Sequence, residues 1–207
     1  MKLLIAGAGG HGRVVADAAL SSGKFSQVAF LDDGYSSLNI REGWPLLGKL
    51  ESMSGFLGEY TMLVAAFGDA TFRLTVLTRA LELGYVCPSI LHPAAVVSRY
   101  AIIGDGSVVF AGSVVNVGAE IGRGCIVNTG ATVDHDCRLD EGVHICPGAH
   151  LAGNVKVGAR SWFGVGAAAR QGVSIGADVM IGAGAVVVAN VPAGKTFVGV
   201  PARELNR

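Results

Sequence analysis

Residues 132–139, TVDHDCRL, place His135 between Asp134 and Asp136 in a stretch of otherwise small and apolar residues. This grouping could be an acid/base centre, a metal site or a solvated turn. A carboxylate beside an imidazole suits proton transfer near neutral pH, because it orients the ring and stabilises its protonated form. A metal needs converging ligands, whereas adjacent residues on an extended strand point in opposite directions. We therefore predict a general base at His135 and no metal, with the solvated turn as the alternative.

A second group with chemical potential is the glycine-rich loop near the N-terminus. Gly7, Gly9 and Gly12 form GxGxxG between an apolar strand and a helix, and Asp32 follows twenty residues after Gly12. This pattern is typical of phosphate binding at a helix N-terminus, with the acid on a ribose. The β/α part has only about 85 residues, enough for one mononucleotide-binding half, so we expect a nucleotide that is not necessarily NAD. Close strand-to-helix packing is the alternative role of the glycines, and Arg73 could add a positive charge to the same crevice.

The element that positions His135 is a repeat of six residues. From residue 91 to residue 187 every sixth residue is apolar, aliphatic at fifteen of seventeen positions, and small or modest residues recur four positions later. A period of six with inward aliphatic residues and a turn at each corner indicates a parallel β-helix, in which three hexads form one 18-residue coil. Hairpins would require a period of two. Residues separated by one full coil must therefore stack vertically.

The part that positions the glycine-rich loop has a different pattern. Apolar strands at KLLIAGAG, QVAFLDD and YTMLVAAFGD alternate with helices at GHGRVVADAALSSG and ATFRLTVLTRALELG. This alternation indicates a parallel sheet with helices on its faces. We predict a Rossmann-like β/α nucleotide-binding domain over residues 1–86 and a parallel β-helix over residues 87–207, an α/β plus all-β chain.

Charge and composition limit the class of partner. Sixteen Lys and Arg balance sixteen Asp and Glu among 207 residues, with no basic run that would attract nucleic acid or an anionic membrane. The apolar N-terminal run is too short for a signal peptide or a membrane span, so we expect a cytoplasmic protein with a small-molecule partner. Cys125 and Cys137 occupy inward lattice positions, which argues against a thiol nucleophile.

Five segments in this order resemble the PglD/NeuD-like family of sugar O- and N-acyltransferases. They are GAGGHGRVV at 7–15, FLDD at 30–33, NTGATVDHDC at 128–137, HICPGAHLAGNVKVG at 144–158 and FVGVPAR at 197–203. The resemblance covers nearly the whole chain. It implies that residues 1–86 are a nucleotide-sugar-binding domain with a UDP-sugar acceptor. It also implies that the β-helix is left-handed and that three copies associate as a homotrimer, with acetyl-CoA in the grooves between them.

The resemblance also implies roles for individual residues. His135 matches the catalytic base, and Asp136 matches an acidic neighbour that is glutamate in some relatives; Asp134 competes for that role. The positions implied for the sugar nucleotide are Gly9, Gly10, His11, Asp32, Asp33 and Gly68. Those implied for acetyl-CoA are His144, Val165 and Ala183. The implied activity is N-acetylation of a UDP-linked 4-amino sugar, with sugar O-acetylation or nucleotide-sugar binding without turnover as alternatives.

The lattice adds two expectations of its own. His135 faces outward, and Gly153, one coil later, lies over it, leaving room for an acyl group and exposing a backbone N–H as an oxyanion donor. Val165 and Ala183 fall on a different face from His135. If both sets touch one acetyl-CoA, they must converge across a subunit boundary, which suggests a cyclic trimer.

Overall fold

In the computed structural model, residues 1–35 and 42–205 are described. The N-terminal part has a four-stranded parallel sheet in the order β3-β2-β1-β4. Its strands are β1 (Lys2–Ala6), β2 (Gln27–Leu31), β3 (Leu46–Gly48) and β4 (Met62–Ala65), and its helices are α1 (Gly10–Ser21), α2 (Ala70–Glu82) and a 3₁₀ helix (Leu50–Phe56). The predicted alternation of strands and helices is confirmed. Strand β3 and the 3₁₀ helix were not predicted, because three half-buried residues carry too short a pattern to identify a strand.

The rest of the chain forms a parallel β-helix. Its coils are built from short strands: β5 (Ile90–Leu91), β6 (Val96–Val97), β7 (Ile102–Ile103), β8 (Val108–Val109), β9 (Val114–Val115), β10 (Glu120–Ile121), β11 (Ile126–Val127), β12 (Thr132–Val133), β13 (Arg138–Leu139), β14 (His144–Ile145), β15 (His150–Leu151), β16 (Lys156–Val157), β17 (Trp162–Phe163), β18 (Ala168–Ala169), β19 (Ser174–Ile175), β20 (Met180–Ile181), β21 (Val186–Val187), β22 (Thr196–Val198) and β23 (Arg203–Glu204). Each strand from β5 to β18 pairs in parallel with the equivalent strand of the next coil. The left-handed β-helix and its three-strand coil are confirmed.

The interior of the coils follows the six-residue lattice. Most of the large lattice positions are buried, and so are the small residues four positions later, such as Ala119, Cys125 and Ala131. Strands β5, β8, β11, β14, β17, β20, β22 and β23 form one face, β6, β9, β12, β15, β18 and β21 a second, and β7, β10, β13, β16 and β19 a third. Val86 bridges to Met62 at the edge of the N-terminal sheet, and the first coil strand begins at Ile90.

Arg73 of α2 connects the two parts of the chain. Its side chain is 1% exposed and donates hydrogen bonds to the carbonyls of Phe67, Gly68, Gly124 and Gly142. The N–H groups of Arg73 are therefore used by backbone carbonyls and not by a ligand, while its positive charge still acts on His11 in the glycine-rich loop. Two of the carbonyls that accept its hydrogen bonds, those of Gly124 and Gly142, lie at β-helix corners.

The same interface contains a continuous apolar cluster. Val15 of α1 and Phe30 of β2 belong to one buried group with Val108, Phe110 and Ile126 of the first coils. Burial of this apolar surface fixes helix α1, and the loop before it, against the face that carries β8, β11 and β14. Within the described ranges, no helix combines the length and the apolar character needed to cross a membrane.

Candidate active site

His135 and Asp136 form the turn between β12 and β13, and their side chains contact each other. Nδ1 of His135 lies 2.9 Å from Oδ2 of Asp136. The backbone of Asp136 is left-handed, with φ at 59°, a conformation that aspartate tolerates better than most residues. The hydrogen bond that His135 donates to Asp136 raises the pKa of His135 above its usual 6.5, and the charge of Asp134 adds to this shift. With Nδ1–H donated to the carboxylate, Nε2 is the nitrogen that can accept a proton.

Asp134 has a different task. Its Oδ1 accepts hydrogen bonds from the backbone N–H of His135 and from Nδ2 of Asn116, both at 2.8 Å. These hydrogen bonds, led by the one from the backbone, lower the pKa of Asp134. The sequence left open which of the two carboxylates is the partner of the imidazole. In the structure Asp136 contacts the ring, and Asp134 bonds to the backbone N–H of His135.

Gly153 lies directly over His135 on the next coil, as the lattice predicts. A Cβ placed at Gly153 would be 2.4 Å from Nε2 of His135 and 2.5 Å from Cε1. The space that the absent side chain leaves is therefore filled by the imidazole ring and not, as expected from sequence, kept open for an acyl group. Among the described residues the N–H of Gly153 has no hydrogen-bond acceptor, so the glycine that the imidazole ring of His135 covers also carries an unused donor.

His11 and His144 form a second polar group, at the contact between the two parts of the chain. Their ring centroids are 6.5 Å apart, and Phe110 and Trp162 pack edge-on against them. Burial lowers the pKa of His11 to about 4 and that of His144 to about 3, and the charge of Arg73 adds to both shifts. Both rings are therefore neutral near pH 7.

Asn128 sets the protonation pattern of His144. Its Oδ1 accepts the N–H of Thr129 at 2.8 Å, which turns Nδ2 toward Nε2 of His144, 3.1 Å away. Nε2 must then accept, so the neutral ring carries its hydrogen on Nδ1. That Nδ1 is buried and lacks a partner within the described residues, as does Nε2 of His11. A cleft of about 490 Å³ with His144, Trp162 and Gly68 in its lining opens beside this group.

The glycine-rich loop divides into packing and open positions. A Cβ at Gly12 would be 2.0 Å from the carbonyl oxygen of Gly7, and Gly7 has a φ of 102°, so both serve the close strand-to-helix turn. Three other glycines, Gly9, Gly10 and Gly68, are exposed. A Cβ placed at any of them would meet no atom within 4 Å. Gly9 is the N-cap of α1 and has no side-chain cap, which leaves first-turn N–H groups available to an anion.

The carboxylates at the end of β2 bond to neighbouring backbone. Asp32 accepts the N–H of Ala8 and of Gly34, each at 2.8 Å, and Asp33 accepts the N–H of Leu50 at 3.1 Å. These carboxylates tie the glycine-rich loop and the loop after β2 together. Asp32 is thus engaged by the protein, where the sequence pattern predicted a contact to ribose.

Val165 and Ala183 stack at the corner between the first and second faces, while His135 lies at the corner between the second and third. The side chain of Val165 is 56% exposed, and a Cβ at the following Gly166 or Gly184 would meet nothing. One subunit does not bring this corner to His135. Over residues 1–35 and 42–205, no three His, Cys, Asp or Glu side chains form a group that could hold a metal ion.

Two residues of these groups were missed by sequence reasoning. Trp162 lies one coil after His144 and pairs with it across β14 and β17, so the lattice could have identified this contact. Asn128 lies two residues after Ile126, the residue beneath His144, and no motif marks its amide as the partner of that ring.

Family models and solved structures of other proteins match both parts of this chain. Residues 2–80 match the family described as the PglD N-terminal domain, and residues 100–135 and 154–189 match the hexapeptide repeat of succinyl-transferase. The acetyltransferase domain of PglB from Neisseria gonorrhoeae FA1090, solved with acetyl coenzyme A, is 45% identical, with a TM-score of 0.95 over 99% of this chain and 98% of that chain.

Two further structures cover the chain equally well. PerB from Caulobacter crescentus, in complex with CoA and GDP-perosamine, is 38% identical, with a TM-score of 0.93 over 100% of this chain and 98% of that chain. WeeI from Acinetobacter baumannii AYE is 28% identical, with a TM-score of 0.90 over 99% and 100%. The chain therefore belongs to the PglD-like family of hexapeptide-repeat acetyltransferases and is an acetyltransferase that uses acetyl-CoA.

Proposed function

We propose that this enzyme transfers the acetyl group of acetyl-CoA to the amino group of a nucleotide-linked amino-deoxysugar, a UDP-linked 4-amino sugar. The observation that carries the proposal is the contact between His135 and Asp136, with the imidazole ring packed against Gly153, whose N–H has no acceptor among the described residues. A base next to a hydrogen-bond donor is what attack of an amine on a thioester requires.

In this mechanism each of the three residues has one task. Acetyl-CoA supplies an acetyl group already activated as a thioester. Nε2 of His135 accepts the proton of the attacking amine while Asp136 holds Nδ1–H and stabilises the imidazolium. Gly153 N–H donates to the acetyl oxygen as negative charge develops on it. An N–C bond forms, the C–S bond breaks, and His135 returns its proton to the departing sulfur.

The acceptor class is supported by the N-terminal part of the chain. The uncapped start of α1 with open positions at Gly9 and Gly10 suits a diphosphate, and His11, Asp32, Asp33 and Gly68 surround the same edge of the sheet. PerB was solved with a GDP-linked amino sugar, so guanine is the main competitor of uracil. We base UDP on the resemblance to the PglD-like pattern.

We further propose that the enzyme acts as a homotrimer in which His135 of one subunit meets the acetyl-CoA held at Val165, Ala183 and His144 of its neighbour. His135 lies at a different corner of the prism from Val165 and Ala183, and the half-exposed apolar side chains of Val165 and Val96 would be covered in such an assembly. A three-sided prism presents one such groove per subunit under threefold symmetry.

The test is a CoA-release assay with UDP-, GDP-, dTDP- and CMP-linked amino sugars and their hydroxyl analogues, followed by mass spectrometry of the product. We expect amide formation on the UDP-linked amine. His135→Gln should lower kcat by at least about a hundredfold, since a general base contributes roughly 10²–10⁴. His92→Gln, at the start of the coil stack, is the matched control.

Light scattering should give a trimer for wild type and for both variants. Undiminished turnover by His135→Gln overturns the catalytic assignment. Ester formation on a hydroxyl acceptor alone overturns N-acetylation.

A further inference from the structure

The residue beneath Asp136 is Gly118, one coil earlier in the same column of turns. A Cβ placed at Gly118 would lie 2.6 Å from Oδ1 of Asp136 and 3.6 Å from its Cγ. The other oxygen of that carboxylate, Oδ2, accepts Nδ1–H of His135. Gly118 therefore provides the space in which the Asp136 carboxylate sits while it holds the imidazole.

The backbone alone does not require glycine at this turn. Gly118, Asp136, Asn154 and Gly172 occupy equivalent positions on successive coils. Asp136 and Asn154 have φ of 59° and 57°, close to the 72° of Gly118. The left-handed turn thus accepts aspartate and asparagine, and what distinguishes position 118 is the carboxylate above it.

We propose that Gly118 is a positioning residue for catalysis, which acts through the Asp136 carboxylate and so on the orientation of His135. This inference rests on the proposed function, because it assumes that His135 is the catalytic base. The resemblance to the acyltransferase family gives roles to His135 and Asp136 and none to Gly118.

A methyl group at position 118 would be relieved by rotation of the exposed Asp136 side chain. The side chain of Asp136 is 68% exposed, and its end is the atom in conflict, so the carboxylate can turn into solvent without disturbing the coil. Gly118→Ala should therefore leave the fold intact while it breaks the contact between Asp136 and His135. A purely structural glycine would show the reverse, a loss of stability without a change in the ionisation of His135.

The matched control is Gly112→Ala. Gly112 has a φ of 70° at an equivalent turn position, and its Cβ would meet nothing closer than 3.8 Å. Both variants thus carry the same backbone strain of alanine in a left-handed turn, and only Gly118→Ala adds the conflict with Asp136.

The experiment measures kcat and KM against pH for both variants, together with NMR titration of ¹³Cε1-labelled histidine. We expect Gly118→Ala to lower kcat by about tenfold or more, with KM for acetyl-CoA little changed. The acid limb of its activity profile and the titration of His135 should move to lower pH, and Gly112→Ala should match wild type in both. A Gly118→Ala profile that coincides with the Gly112→Ala profile overturns the inference.

A double-mutant cycle separates this inference from the proposed function. Asp136→Gly removes the carboxylate and suits the left-handed turn, so Gly118→Ala should have no further effect in that background. If Asp136→Gly turns over at the wild-type rate, the proposed base assembly is wrong. If Asp136→Gly lowers kcat and Gly118→Ala lowers it further by its full single-variant factor, only the role of Gly118 is wrong.

Discussion

The imidazole of His135 lies directly against Gly153, so a Cβ at position 153 would be 2.4 Å from Nε2. The pair determines where the proton-accepting nitrogen sits, because the ring occupies the space above the glycine. We predict that Gly153→Ala displaces the ring and lowers kcat/KM at least about tenfold. The melting temperature should change little, since the side chain of His135 is 56% exposed and can turn outward. In a His135→Ala background the same substitution should have no effect on residual turnover, and a further loss there would mean that Gly153 acts on something other than the ring.

Asp136→Asn should change the pH dependence of catalysis. Asp136 is the main cause of the raised pKa of His135, so its loss lowers that pKa. A base must be unprotonated to act, so activity is lost as pH falls through the pKa of His135. The acid limb of kcat/KM should therefore move to lower pH in the variant, while the plateau falls because the ring is no longer oriented.

Asp134→Asn is the comparison for that measurement. Its amide oxygen can still accept the hydrogen bonds from His135 N–H and Asn116 that Oδ1 accepts now. Only the charge of Asp134 is lost, and that charge contributes less to the pKa of His135 than the hydrogen bond that His135 donates to Asp136 does. A larger shift of the acid limb in Asp134→Asn than in Asp136→Asn would contradict the assignment of Asp136 as the partner of the ring.

Asn128→Asp should change the protonation of His144. In the wild type, ¹⁵N NMR of the ring should show the neutral form with hydrogen on Nδ1, because Nδ2 of Asn128 faces Nε2. A carboxylate there accepts hydrogen bonds only, so Nε2 must gain a hydrogen, either by a change of tautomer or by protonation at higher pH. Spectra unchanged between wild type and Asn128→Asp would show that Asn128 does not control the ring. Asn128→Ala distinguishes loss of the amide from gain of charge.

Arg73→Met should destabilise the protein. The substitution leaves carbonyls of Gly124 and Gly142 without their donor at a buried interface, and each such loss costs about 1–3 kcal/mol. We expect a loss of roughly 3 kcal/mol or more in the free energy of unfolding, measured by denaturant titration at one protomer concentration. Arg79→Met, on the exposed side of the same helix, should change it by about 0.5 kcal/mol or less. Equal stability of the two variants would contradict the role assigned to Arg73.

The β-helix and the stacking of its residues were predictable from sequence. A strict period of six leaves one way to bury the aliphatic positions, and the three-hexad coil then places Gly153 over His135 and Trp162 over His144. The alternating strands and helices before residue 86 were also predictable, because buried strands of five residues carry a clear apolar signal. Strand β3 carries no such signal.

The side-chain contacts of the site depend on the tertiary structure. The letters DHD are symmetric about His135, and only the structure shows that Asp136, in a left-handed turn, contacts the ring while Asp134 bonds to Asn116 and to the backbone N–H of His135. The approach of His11 to His144, and the engagement of Arg73 by β-helix carbonyls, arise where helices α1 and α2 pack on the coils. Sequence periodicity determined which residues stack within one repeat. Contacts between the two parts, and the direction of side chains in turns, were decided only by three-dimensional packing, because neither follows from a repeat along the chain.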